Sequence, residues 1–369
     1  MPTWLAPVGC WTCRWTRGRW VNVPRVTHQP PDQGPGQAPT LDEVARLAGV
    51  SRATASRAIN GGNRVSQSAQ TAVAEAVRTL GYSPNPAARS LVTRRTDSVA
   101  LVVPEPDERV FSDPFFVHTL RAVNRVLAAR DLQLVLLLAR PEDESRMLRY
   151  LGERHIDGAI VVSHHQNDRL AEHLAALGLP CAFVGRPWTG EDRVAYVDTD
   201  NEAGSRAATE LLISRGRRVI GHVAGPDDMT AAADRRAGWR SAVTTAGLRD
   251  DLVACGDFTE IGGEEATRAL LAQCEEIDGL VVASDLMAVG VVRVLEAAGR
   301  RVPDDVAVVG YDDLGVAERI TPPLTTIRQP IGDMAEQAAR MLLDQIDERR
   351  APRAVRVVFP PTVVERAST

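Results

Sequence analysis

The chain contains no lysine: all 43 of its basic residues, out of 369 in total, are arginine. That bias, together with the abundance of Ala and Val, points to a GC-rich genome rather than to a physical requirement. No stretch approaches 18 unbroken apolar residues, which argues against a transmembrane helix. The first residues lack a basic-then-apolar secretory pattern, so the expected location is the cytoplasm, at the nucleoid. Cysteine is scarce and odd in number, at Cys10, Cys13, Cys181, Cys255 and Cys274. Cys10-Trp-Thr-Cys13 has zinc-like or redox-like spacing, but no second pair completes a tetrahedral site, and it reads as a chance pair. A P-loop, a Gly-x-Ser-x-Gly elbow and a His-Glu-x-x-His helix are all missing, so neither an enzyme nor a cofactor is expected. His164, His165 and His173 lack acidic or cysteine ligands in helical register and read as surface loop residues rather than a metal site.

What is present is unevenly distributed. Between Thr40 and Thr96 eight arginines face Asp42, Glu43 and Glu75, a net +5. Residues 1–39 carry four arginines and one aspartate, a net +3, so the overall −5 leaves −13 on residues 97–369. A small basic unit ahead of an acidic body implies a polyanionic partner for the first part alone.

Residues 1–39, with four tryptophans and the Pro/Gly/Gln-rich "HQPPDQGPGQAP", are expected to be disordered or to reflect a misassigned translation start. In "TLDEVARLAGVSRATASRAIN", Leu41, Val44, Ala45 and Ala48 form one apolar helical face. Thr40 and Glu43 are spaced as a capping box, Gly49 ends the helix and Ser51 caps a second one. A third helix is expected from Ser66 to Leu80, with Ala69, Val73, Ala76, Val77 and Leu80 inward. Two short helices around a tight turn and a third that closes the core make a helix-turn-helix pattern. From Asp97 the rhythm becomes strand, helix, strand. "SVALVVP", "LQLVLLL", "DGAIVV" and "PCAFVG" form one series, and "RVIGHVAG", "DGLVVAS" and "VAVVGYD" a second. Continuous apolar strands joined by helical crossovers predict two doubly wound parallel-sheet lobes, with ligand beyond the carboxyl ends of the strands.

These motifs, with "GYSPNPAARSL", "ASDLMAVGVVRVLEAAGRRVPDDVAVVGYDD" and "PPLTTIRQP", resemble the lac-repressor-like (LacI/GalR) transcription regulators from Thr40 to Thr369. The implied fold is an N-terminal all-α helix-turn-helix headpiece plus a periplasmic-binding-protein-like α/β body. The implied domains are the extension 1–39, a DNA-binding domain 40–83, a hinge and linker 84–96, and an effector-binding and dimerisation domain 97–369. Within the last, the N-lobe spans about 97–199 and 331–358, and the C-lobe about 200–327 and 359–369.

The resemblance also assigns residues. Arg52, Ala53 and Arg57 occupy base-reading positions on the second helix, where an arginine can bond guanine bidentately. Thr40, Thr54, Ser56 and Asn60 suit phosphate contacts that fix register. Ala69 and Gln70 depart from the usual threonine and arginine, which predicts fewer phosphate contacts on the third helix. Ala88, Arg89 and Leu91 match a hinge helix whose leucine wedges into the minor groove; the plain alternative is an interdomain linker. In the body, Phe111, Asp113, Phe115, Arg235, Phe258, Ser284, Asp312 and Gln329 fall on effector-binding positions, and amides and charges beside aromatic faces suit a sugar or nucleoside. Departures at Asp113, Gly185-Arg186 and Ser284 leave the particular sugar open. Asp285 is expected to cap the helix that it begins. The expected partners are a palindromic double-stranded operator, a carbohydrate effector and a second copy of the chain, with no membrane. The alternative is a stand-alone sugar-binding protein of periplasmic type.

Overall fold

The computed structural model describes residues 13–16, 19–22, 39–59, 65–83, 95–138, 143–153, 155–348 and 354–369. Within the extension, β1 (Cys13–Thr16) pairs antiparallel with β2 (Arg19–Asn22), Trp15 opposite Trp20. This corrects the expectation of no regular structure there. Both strands are rich in the β-favouring types Trp, Thr and Val.

The headpiece has three helices, α1 (Leu41–Leu47), α2 (Arg52–Ile59) and α3 (Gln67–Leu80). Thr40 and Glu43 form the capping box, each side chain accepting from the other's backbone amide. Gly49 takes φ +66°, a left-handed conformation that costs glycine little and breaks the chain between α1 and α2. Ser51 accepts the Thr54 amide at 3.1 Å, and Ser66 the Ala69 amide at 3.4 Å. Val44, Ala45, Ala55, Val73 and Ala76 make the buried core, with Leu41, Val50, Val77 and Leu80 packed around it.

The body holds two six-stranded sheets. The first runs β13-β7-β6-β5-β3-β4 and is parallel throughout. Its strands are β3 (Ser98–Val103), β4 (Gln133–Leu138), β5 (Gly158–Val162), β6 (Cys181–Val184), β7 (Ala195–Thr199) and β13 (Arg356–Phe359). The second runs β14-β12-β11-β10-β8-β9. It comprises β8 (Ile220–Ala224), β9 (Val253–Cys255), β10 (Gly279–Val282), β11 (Ala307–Asp312), β12 (Thr325–Arg328) and β14 (Thr362–Val364). Here β14 pairs antiparallel with β12, a departure from the all-parallel expectation at one sheet edge. The strands β7, β9, β12, β13 and β14 are not read from the apolar-run pattern: β9 and β14 have only three residues, and β7, β12 and β13 each carry a charged residue beside their apolar ones.

Burial on both faces explains the unbroken apolar runs. In β3, Val99, Leu101 and Val103 enter one core while Ala100 and Val102 enter the opposite one. The long α12 (Ile331–Glu348) follows β12 of the second sheet, yet it buries Met334, Ala335, Ala338, Leu342 and Ile346 against the first. The chain thus passes between lobes after β7, after β12 and after β13. In the second lobe α8 (Asn201–Ser214) and α9 (Thr230–Thr245) cross closely, since a Cβ at Gly238 would lie 2.2 Å from the Glu202 carbonyl oxygen.

Candidate functional site

On the headpiece, Arg52, Ala53 and Arg57 are all exposed on α2. Arg57 is paired with no acid among the described residues; its Nε donates to the Ala53 carbonyl at 3.1 Å. Arg52 lies 3.5 Å from Asp42 with both side chains about two-thirds exposed, a contact that water screens heavily. Thr40 is engaged in its capping box, and the Thr54 and Ser51 hydroxyls are 2.8 Å apart. Ser56 is half-buried. Asn60, Ala88, Arg89 and Leu91 lie outside the described residues.

In the body, a cleft of about 90 Å³ opens between the carboxyl ends of the two sheets. Seven predicted residues line it together: Asp113, Phe115, Arg235, Phe258, Ser284, Asp312 and Gln329. Phe111 does not. Residues Asp107–Ser112 form a short helix, α4, rather than a loop; its turn buries Val110 and leaves Phe111 71% exposed, so the assignment of Phe111 to the effector site is corrected. Residues that the motifs missed also line the cleft, among them Arg109, Ser163, His164, Asp198, Asn201 and Thr230. Most sit within a few residues of a strand's carboxyl end, the one signal that could have found them.

Arg235 is the centre of the C-lobe wall. Buried in α9, it donates from Nε to Asn201 at 2.9 Å and from its terminal nitrogen to the Ala283 carbonyl. Its guanidinium stacks 3.7 Å above the Tyr311 ring and lies 3.7 Å from Asp312. The Gln329 amide donates to the same Asp312 oxygen. Burial drives the Asp312 carboxyl up to about 7, against the pull of Arg235. Asp312 also adopts φ +117°, a conformation that strains any residue but glycine and that clusters at ligand sites. Phe258, at φ +65°, lies over Gly225, where a Cβ would meet its ring at 2.3 Å.

Ser284, not Asp285, caps α11 (Asp285–Ala297), accepting the Met287 amide at 3.2 Å. Asp285 is instead buried beneath the cleft, bonded by the Thr326 hydroxyl at 2.6 Å and the Asp313 amide at 2.7 Å. A capping aspartate would have to precede the first turn; this one lies inside it. Burial and the neighbouring Asp312 raise its carboxyl well above the ordinary range.

The N-lobe wall is built on Glu105, which follows β3. Its Oε1 accepts from Arg109 at 2.6 Å, Ser163 at 2.6 Å and His165 at 3.0 Å. Burial alone would raise this carboxyl, but those three partners hold it below its usual value. The other ring nitrogen of His165 meets Asp228 of the C-lobe at 2.9 Å, so both nitrogens face carboxylates, and the Glu105 bond raises the imidazole's pKa. His164 is buried, its Nε2 donating to the Gly185 carbonyl at 3.2 Å, and burial lowers its pKa. The expectation of surface histidines is therefore corrected at His164, which is buried and lines the cleft just after β5, whereas His165 beside it is half-buried. Arg186 crosses to the C-lobe with a fork of two 2.7 Å bonds to Asp234, while its carbonyl accepts the Thr230 hydroxyl at 2.6 Å. Asp198 accepts from the Thr199 amide at 2.8 Å and from Asn201 at 3.1 Å, and burial pushes it up to about 6. Asp113 caps α5 (Pro114–Ala128) through the Phe115 amide at 2.9 Å, and burial raises it too.

Two family models match the chain: bacterial regulatory proteins of the lacI family over residues 40–85, and a periplasmic binding protein-like domain over residues 209–369. The HTH-type transcriptional regulator CelR of Thermobifida fusca is 46% identical over 335 residues, 89% of this chain and 98% of that one. A solved complex of transcriptional regulator CelR with cellobiose superposes with a TM-score of 0.72 at 43% identity, covering 90% of this chain and 100% of the other. The lac repressor dimer bound to operator and the anti-inducer ONPF gives a TM-score of 0.79 at 25% identity, covering 90% and 99%.

Proposed function

The chain belongs to the lacI family of bacterial regulatory proteins, DNA-binding transcriptional regulators, and from that premise we propose that it is a repressor controlled by a carbohydrate held between its lobes. The observation that carries the proposal is the convergence of Arg235, Asp312 and Gln329 in one cleft with the aromatic faces of Phe115 and Phe258. Forked donors and carboxylate acceptors match the vicinal hydroxyls of a sugar, and the rings match its C–H faces. The likeness to a cellobiose-bound regulator makes a glucose oligosaccharide the first candidate.

DNA is read by the exposed face of α2. Arg52 and Arg57 bond base edges in the major groove, and Ala53 packs against a thymine methyl. Thr40, Thr54, Ser56 and Asn60 hold the phosphates. One helix-turn-helix reads half a palindrome, so two copies of the chain bind one operator. The hinge over 84–96, with Ala88, Arg89 and Leu91, enters the minor groove and kinks the duplex. The effector shifts the lobes between two arrangements and thereby favours or disfavours that hinge, with coupling of about 1–3 kcal/mol. A regulator of this family is not expected to catalyse a reaction, and among the described residues no helix is long and apolar enough to cross a membrane.

Thermal unfolding against a panel of sugars and nucleosides tests the effector. A ligand at 100 times its Kd adds about 2.7 kcal/mol of stability. A rise in Tm with a sugar that is lost in Arg235→Met supports the site. A rise that survives the substitution removes it.

A further inference from the structure

Three side chains of the N-lobe reach across to the C-lobe. Arg186 forks onto Asp234, and the Arg109 guanidinium lies 5.3 Å from the centre of the Phe258 ring. Arginine stays charged at any ordinary pH, so these two crossings are steady. The third is His165. It follows Ser163 and His164 as Arg186 follows Gly185, and all three of those preceding residues line the cleft, so both crossings border it. The His165 Nε2 meets Glu105 of its own lobe at 3.0 Å, and its Nδ1 meets Asp228 of the C-lobe at 2.9 Å. Its loop is held separately. Asp168 accepts the His165 backbone amide at 2.7 Å, and the Gln166 amide donates across the lobes to the Asp228 carbonyl at 2.9 Å.

A carboxylate can only accept, and a neutral imidazole carries a single N–H. Both ring bonds therefore form together only on the imidazolium; the neutral ring sets a lone pair against one of the two acids. Glu105 is buried and binds Arg109 and Ser163 through the same oxygen, whereas Asp228 is 41% exposed and can turn to water. We propose that His165 is a proton-operated clasp between the lobes: its imidazolium ties Glu105 to Asp228, and loss of the proton releases Asp228.

The groups around the ring set the sign. Glu105 faces it from the end of β3, with Arg109 of α4 on the same oxygen. In its own loop, His164 is buried and kept neutral, and Asp168 faces the backbone amide. From the segment after β8, Asp228 faces the ring directly, while Asp227 pairs with Arg236 at 3.1 Å. Glu105 raises the imidazole's pKa whether or not the lobes meet. Asp228 raises it further only when they do, and that second part couples closure to the proton. The closed-state pKa thus lies above the open-state one. The clasp is complete below the open-state value and is lost as pH rises through the closed-state value.

The test is hydrogen–deuterium exchange of the full chain between about pH 6 and pH 9, resolved to single amides by mass spectrometry and corrected for the intrinsic rate at each pH. The Gln166 amide reports on the clasp, because its partner is the Asp228 carbonyl of the other lobe. The amide of buried Val161 in β5 reports on the sheet beneath. Protection at Gln166 should fall roughly fivefold as pH rises, the upper end for one partly exposed ion pair, while Val161 stays unchanged. Asp228→Asn keeps the carbonyl and offers an amide that accepts from the imidazolium and donates to the neutral ring. It should therefore abolish the pH dependence and keep the protection at high pH. His165→Gln should abolish the pH dependence as well. Protection that is independent of pH in the wild-type chain overturns the proposal. So does a wild-type slope that persists in either variant, since the titrating group then lies elsewhere. A parallel loss at Val161 also overturns it, because the chain is then unfolding rather than releasing one contact.

Discussion

With no lysine available, the headpiece and the body use arginine in opposite ways. On the headpiece Arg46, Arg57 and Arg78 have no acid within ion-pair reach among the described residues, and Arg52 has only a solvent-screened contact with Asp42. In the body, arginine after arginine meets a carboxylate: Arg109 with Glu105, Arg186 with Asp234, Arg235 with Asp312, Arg366 with Asp313. The difference shows that net charge alone does not locate a polyanion site. Unmatched cations do, because only they gain a new partner when phosphate arrives and counterions leave. The same accounting makes the headpiece attractive to DNA.

The comparison is most easily broken at Arg235. Arg235→Met should destabilise the body by about 3 kcal/mol, the low end for a broken buried pair, because Asp312 then takes up a proton. Urea unfolding measures this, and a loss under about 1 kcal/mol would mean that the pair is not holding the C-lobe wall. Next in size, Arg57→Ala should weaken operator binding by about 1–3 kcal/mol while leaving nonspecific, salt-dependent binding nearly intact. Equal loss of both in fluorescence anisotropy would assign Arg57 to phosphate rather than to bases.

A smaller effect is expected from pH. Asp312, raised to about 7 by burial, is half-protonated near neutrality, and its ionised form is the better acceptor for hydroxyl donors. Protonation therefore competes with the effector below that value, so affinity should rise about tenfold from pH 6 to pH 8. Asp312→Asn should flatten that profile; an unchanged profile would place the titration elsewhere. Least of all, Arg125→Ala removes a pair with Glu336 in which the arginine is 74% exposed, and should change stability by less than about 1 kcal/mol. A larger loss would show that body arginines do more than satisfy local carboxylates.

Much of the molecule was legible in the sequence, for reasons that particular residues make clear. The headpiece helices follow from Thr40, Gly49, Ser51 and Ser66, whose capping chemistry is local. The C-lobe wall follows from motifs around Arg235, Asp312 and Gln329. The N-lobe wall was largely hidden. Glu105, Ser163, His164 and Asp198 come from three separate strand ends, and only the folded sheet brings them to one surface. Phe111 was misplaced because a helix replaces the loop, and helical rotation separates it from Val110. The cap falls on Ser284, which also lines the cleft as expected, and not on Asp285, because a cap is defined by backbone geometry that neighbouring residue types do not reveal.

The central claim is that this chain is a sequence-reading DNA-binding protein, and selection from a pool of randomised duplexes tests it most directly. The wild-type chain should enrich a two-fold symmetric consensus, and Arg57→Ala should lose preference at one position in each half-site while keeping the rest. Enrichment of no sequence, or the same consensus from both proteins, would contradict base reading by α2.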